Sequence, residues 1–215
     1  MTRNKNSHQS VDCFMKKICL FFAGLCFCSL PLFAQQFEGG VAAGLVGSQV
    51  AGDTYSGFDK AGIYAGFWVR LGMGERSSIQ TEISYFQKGS RHNPDEKKQD
   101  YTFYLMRLGY IEMPFLYQYH LKNKLMLEVG PSFSFLLHSY EELDYVEVTY
   151  GDFCLFNPSF MAGIGYPVTN KLSVNFRMNS SLLSIRKDEV NGSVYRLFDH
   201  GQYNDCLLLF LSYKI

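Results

Sequence analysis

After residue 36 the chain alternates apolar and polar positions with period two, the signature of half-buried β-strands. The clearest stretch is Leu172–Asn179, where Leu172, Val174, Phe176 and Met178 face one way and Ser173, Asn175, Arg177 and Asn179 the other. In 125–137, Leu125, Leu127, Val129, Phe133, Phe135 and Leu137 stand opposite Met126, Glu128, Gly130, Ser132 and Ser134. In 61–71, Ile63, Ala65, Phe67 and Val69 stand opposite Tyr64, Gly66, Trp68 and Arg70. The same rhythm runs through 79–86, 105–119 and 153–166, and more weakly through 37–47 and 205–215. It predicts eight strands.

The connections alternate in length. Residues 72–77, 120–123 and 167–170 make short turns, whereas 48–60, 89–103, 138–152 and 185–204 are long and polar. Short turns at one end and long loops at the other describe an antiparallel up-and-down barrel. The segments are of the length that a tilted strand needs to cross a bilayer.

A soluble barrel of lipocalin type shares the strand count and the alternation, and its apolar face would line a ligand cavity. The chemistry of the polar face separates the two. On a soluble barrel that face meets water and carries many Lys, Glu and Thr. Here it is mostly Gly, Ser and Asn with about one charge per strand: Glu38, Arg70, Glu82, Glu112, Glu128, Arg177 and Lys214. Small residues suit a crowded eight-stranded interior, and isolated charges suit pairing within it. The apolar face is then the lipid-facing one, with Tyr85, Tyr117, Tyr119, Tyr166 and Tyr213 near strand ends as interface anchors. The reading is an all-β, eight-stranded transmembrane barrel. Its interior charges are expected to form a structural network that fills the lumen rather than a catalytic pair, a proton path or a pore.

Composition narrows the function classes. Twenty basic residues balance twenty acidic ones over 215 residues, so no basic surplus is available for a nucleic-acid backbone. Lys16 and Lys17 precede a charge-free run from Ile18 to Phe33 that ends in Ala34-Gln35. That is the plan of a cleaved secretory signal over residues 1–34, with Met15 as an alternative start and 35–215 as the barrel domain. Leu25 and Phe27 argue against a lipoprotein cut at Cys26 or Cys28. Only Cys154 and Cys206 survive cleavage, and they fall in segments where bridging is not expected.

Phe58-Asp59-Lys60-Ala61-Gly62-Ile63-Tyr64-Ala65-Gly66 and Tyr110-Ile111-Glu112-Met113-Pro114-Phe115 resemble the PorT-type outer-membrane β-barrel domain of Bacteroidetes. Gly47-Ser48-Gln49-Val50-Ala51-Gly52-Asp53 and Phe33-Ala34-Gln35 resemble that group as well. The resemblance covers most of 37–215 and implies an outer-membrane barrel of a Gram-negative cell. It carries no catalytic residue. One member of the group is linked to protein secretion, which gives an accessory secretion role as an alternative.

No nucleophile–base order, phosphate-cradling glycine loop or zinc spacing is present, and no cofactor or metal is expected. His92, His138 and His200 fall in three long connections, and His138-Ser139 with nearby acids is the nearest approach to an enzyme-like set. Glu141, Glu142, Asp144, Glu147 and Asp152 read as a solvated acidic loop. Within it Tyr145–Tyr150 alternates again and predicts a protruding hairpin, whose edge offers a strand to a protein partner. The function expected is non-enzymatic: a surface barrel, held in outer-membrane lipid, with a structural or adhesive role for its loops.

Overall fold

The computed structural model describes residues 37–55, 57–148, 150–186, 193–197 and 199–215. The leader expected at 1–34 lies outside them. Among the described residues there are eleven strands: β1 (Phe37–Ala51), β2 (Lys60–Gly72), β3 (Ser77–His92), β4 (Tyr104–His120), β5 (Met126–Leu143), β6 (Val146–Glu147), β7 (Phe156–Pro167), β8 (Leu172–Ser181), β9 (Val194–Arg196), β10 (Asp199–Gly201) and β11 (Tyr203–Lys214). Eight of them, β1 to β5 with β7, β8 and β11, pair antiparallel in a ring, and β4–β5 and β1–β11 pairing leaves no open edge. Closure satisfies the backbone without a partner chain.

At one end tight turns join neighbours. Met73 N donates to Ser77 O (2.8 Å), Leu121 N to Leu125 O (2.8 Å) and Val168 N to Leu172 O (2.9 Å). Lys124 takes a left-handed φ of 68° to close the second of these. At the other end the strands run well beyond the alternating segments. The third continues to His92 rather than ending at 86, and the fifth to Leu143 rather than 137. Those extensions carry polar residues on both faces, so period two no longer marks them, although the hydrogen-bond ladder continues.

A bulge in β5 reverses the facing of its last third. Tyr110 pairs with Leu136 but Gly109 with His138, leaving Leu137 as the extra residue. Before the bulge, even-numbered residues of β5 face in. Beyond it, Glu141 does.

The two faces differ as the pattern requires. Leu45 (69% exposed), Phe67 (70%) and Ile83 (60%) stand on the outer wall with Phe115, Val129, Phe160, Ile164, Phe176 and Leu209. The inner face is less purely polar than expected. Tyr64, Trp68, Phe86, Leu116, Met161, Leu208 and Phe210 form a buried cluster among its charges. Trp68 lies across Gly40, where a Cβ would come within 2.5 Å of the indole, and donates to Val41 O (3.2 Å). The hairpin expected at 145–150 is short: Glu147 pairs with Glu142 and Val146 with Leu143, around a turn at Asp144 and Tyr145 in left-handed conformation.

Candidate functional site

Inward positions on successive strands meet across a narrow lumen, so the charges sort into tiers along the barrel axis. Nearest the short turns, Glu38 pairs with Lys214 (2.5 Å) and Arg70 (3.5 Å), and Arg70 also holds Gln80 Oε1 (3.1 and 3.0 Å). The next tier is fully desolvated. Arg177 Nε donates to Glu128 Oε1 (2.7 Å), Nη1 to Glu82 Oε2 (3.1 Å) and Nη2 to Glu82 Oε1 (2.9 Å) and Glu128 Oε2 (3.2 Å). Two carboxylates on one guanidinium leave an excess negative charge. It is spread by donors: Tyr64 OH and Gln80 Nε2 (2.7 Å) on Glu82, and Gln118 Nε2 (3.1 Å) on Glu128. The guanidinium also lies over the Phe210 ring, 4.7 Å from its centre.

Above this, Lys88 pairs with Glu112 (2.9 Å), both side chains shut off from solvent. Ser132 (2.8 Å), Ser159 (3.2 Å) and Asn179 (2.8 Å) donate to Glu112 as well. Lys88 Nζ stands 4.4 Å from the Phe86 ring centre. Toward the long loops, Glu141 accepts from Arg186 (2.6 Å) and from Tyr104 OH (2.5 Å), and Arg196 holds Asp205 (2.8 Å).

Of the seven residues singled out in the sequence, the structure unites Glu82, Glu128 and Arg177 in one tier and Glu38, Arg70 and Lys214 in another. Glu112 joins neither. Arg70 turns to Glu38 and Gln80 rather than to Glu82 or Glu128. The cation that meets Glu112, Lys88, lies two residues past Phe86 in the same facing, one step beyond the alternating segment. Glu141 and Arg186 were missed for different reasons: the bulge reverses one, and the other sits in a long connection with no rhythm.

The histidines do not converge. His92 binds Asp100 (2.6 Å), and His138 lies on the outer wall against Tyr85 OH (3.1 Å). Among the described residues no group of three or more His, Cys, Asp or Glu is placed to hold a metal ion. Cys206 is buried in the lumen, and Cys154 precedes β7; both are thiols.

A closed antiparallel ring with a charged, paired interior and an apolar exterior is built for lipid. The family described as outer membrane protein beta-barrel domain matches residues 33–186. The chain belongs to that family. Neisserial surface protein A matches with a TM-score of 0.54 at 11% identity, over 85% of this chain and 99% of its own. Ail, the attachment invasion locus protein of Yersinia pestis, matches at 0.47 and 12% identity, over 84% and 99%. No curated protein matches. This barrel therefore sits in the outer membrane, and the apolar face is lipid-exposed rather than the lining of a soluble carrier's pocket. In outer-membrane barrels the short turns face the periplasm and the longer loops face the outside of the cell.

Proposed function

We propose that this barrel is a non-enzymatic surface protein whose lumen is plugged by its ion pairs and whose outer connections bind a protein partner. The observation that carries the reading is a set of large aromatic and aliphatic side chains exposed on those otherwise polar connections. Tyr101 (71% exposed), Tyr145 (74%), Val146 (63%), Tyr195 (76%) and Leu197 (65%) are presented to water on several separate segments beyond the bilayer. Tyr145 is held by stacking on Phe103, ring centres 4.6 Å apart and nearly parallel. Exposed, pre-ordered aromatics of this kind suit protein contact. The plug is supported by Arg177, Lys88 and Glu112, all closed to solvent in mid-lumen.

Two measurements test the reading. Reconstituted in a planar bilayer, the barrel should give no stepwise conductance. Displayed on cells that lack other adhesins, it should promote adherence to immobilised matrix proteins or to neighbouring cells, and Tyr145→Ser with Tyr195→Ser should abolish that. Adherence unchanged by the double variant would defeat the loop assignment.

The PorT-type likeness of Phe58–Gly66 and Tyr110–Phe115 supports a second reading, an accessory of an outer-membrane secretion system in a Bacteroidetes cell. It predicts stable co-purification with other envelope proteins and a secretion defect on deletion. The leader is part of the same proposal: N-terminal sequencing of the mature protein should begin at Gln35.

A further inference from the structure

Near the outside end of β2, β3 and β4 the apolar outer wall gives way to a cationic patch. A groove of about 260 Å³ opens there, lined by Lys60, Ala61, Gln87, Arg91, Leu105 and Arg107. Arg91 pairs in register with Leu105 and Gly89 with Arg107, so the two arginines are diagonal neighbours on adjoining strands. Both are exposed on the outward side. Arg91 Nε is taken by Asn93 (2.9 Å), which leaves its terminal nitrogens available. Among the described residues no carboxylate lies within ion-pair distance of Lys60, Arg91 or Arg107. The acid beside them, Glu142, is engaged by Tyr140 OH (3.0 Å) and does not line the groove. Lys60 is buried on the inward parity of β2 and its Nζ donates to Ala61 O (2.9 Å), so the exposed cations of the groove are Arg91 and Arg107. Two guanidinium groups held side by side repel one another, an arrangement stabilised by an anion.

Position identifies which anion. Below the groove on the same strands come Tyr85, Ile83 and Ile79, and Ile111 and Phe115, the start of the lipid-facing band. The cations thus stand at the level where the headgroups of the outer leaflet meet the hydrocarbon. A second, apolar groove of about 350 Å³ shares Ala61 with the first and runs between Leu45, Phe58, Phe176, Leu207 and Leu209, with Asp59 the one acid on it. We propose that the two grooves form one site for a phosphorylated glycolipid of the outer leaflet. Arg91 and Arg107 take its phosphate, and the adjoining apolar groove takes an acyl chain. A cation cluster at headgroup level that continues into an apolar slot fits a lipid phosphate better than a free one.

Native mass spectrometry of the refolded full barrel, titrated with diphosphoryl lipid A, dephosphorylated lipid A or inorganic phosphate, tests this. Wild type should retain diphosphoryl lipid A at least ten times more tightly than the dephosphorylated form, and millimolar inorganic phosphate should not displace it. Arg91→Gln with Arg107→Gln should lose that preference, whereas Lys122→Gln with Lys124→Gln, at the opposite end, should keep it. Equal retention of the two lipids by wild type overturns the proposal without any variant. Full displacement by inorganic phosphate overturns the lipid assignment, and an unaffected arginine variant overturns the residues.

Discussion

Arg177 Nε lies 2.7 Å from Glu128 Oε1, and the two residues come from strands that are not neighbours: β7 lies between them. The bond passes over Gly163, where a Cβ would stand 2.7 Å from that same carboxylate oxygen and 2.8 Å from Phe176 O. The ion pair and the missing side chain are one device, which lets a guanidinium span two strand spacings inside a packed barrel. We expect Gly163→Ala to push Glu128 aside and destabilise the barrel by about 1–3 kcal/mol, the range for overpacking a filled interior. Urea unfolding in lipid vesicles measures it, and a variant as stable as wild type would show that the pair has room to shift.

Removing Arg177 has a larger effect. Glu82 and Glu128 would be left facing each other without a cation, and breaking a buried pair in this way costs about 3–5 kcal/mol. Arg177→Met should lower the temperature at which the compact band is lost on unheated gels. Adding Glu82→Gln and Glu128→Gln should restore most of the loss, because the cost lies in the stranded charge rather than in the missing bond. Failure of the triple variant to recover would mean that the hydrogen bonds themselves dominate.

The outer wall gives an independent check on the membrane assignment. Phe67 is 70% exposed in the middle of β2, where lipid covers it. Phe67→Arg should cost about 2–4 kcal/mol in bilayers, as a cation at the bilayer midplane does. Tyr101→Arg, on a connection outside, should change stability by less than about 0.5 kcal/mol, as surface substitutions do. Equal effects at the two positions would place Phe67 in water.

How far the sequence carried follows from which faces differ. Where one wall meets lipid and the other a packed lumen, as in Leu172–Asn179, every residue reports its side, and the strands and Arg177, Glu82 and Glu128 were legible. Past Phe86 polar residues occupy both walls, so Lys88, Arg91 and His92 carry no periodic signal although the strand continues through them. The bulge at Leu137 turned Glu141 inward against the parity of the residues before it. Pairing was the least legible feature, since which cation meets Glu112 depends on the relative stagger of strands.

The connection between β1 and β2 holds a group that should make stability depend on pH. Asp53 is almost wholly buried, and its Oδ1 accepts the Tyr55 N–H (2.9 Å). Burial lifts its carboxyl from 3.8 to about 6, opposed by hydrogen bonds from Ser90 and the Tyr55 backbone and reinforced by Glu141. The folded state therefore keeps a proton that the unfolded chain releases at lower pH. This stabilisation is fully present below about pH 4 and is lost as pH rises through about 6. A rise of this size corresponds to roughly 3 kcal/mol. Asp53→Asn keeps an oxygen for the Tyr55 N–H and cannot ionise. The variant should match wild type in urea resistance near pH 4 and exceed it near pH 7, and the difference between the two curves isolates Asp53 from Glu141, His92 and Asp100 nearby. Parallel curves across that interval would mean that Asp53 is ionised in the fold, with a counter-charge offsetting its burial.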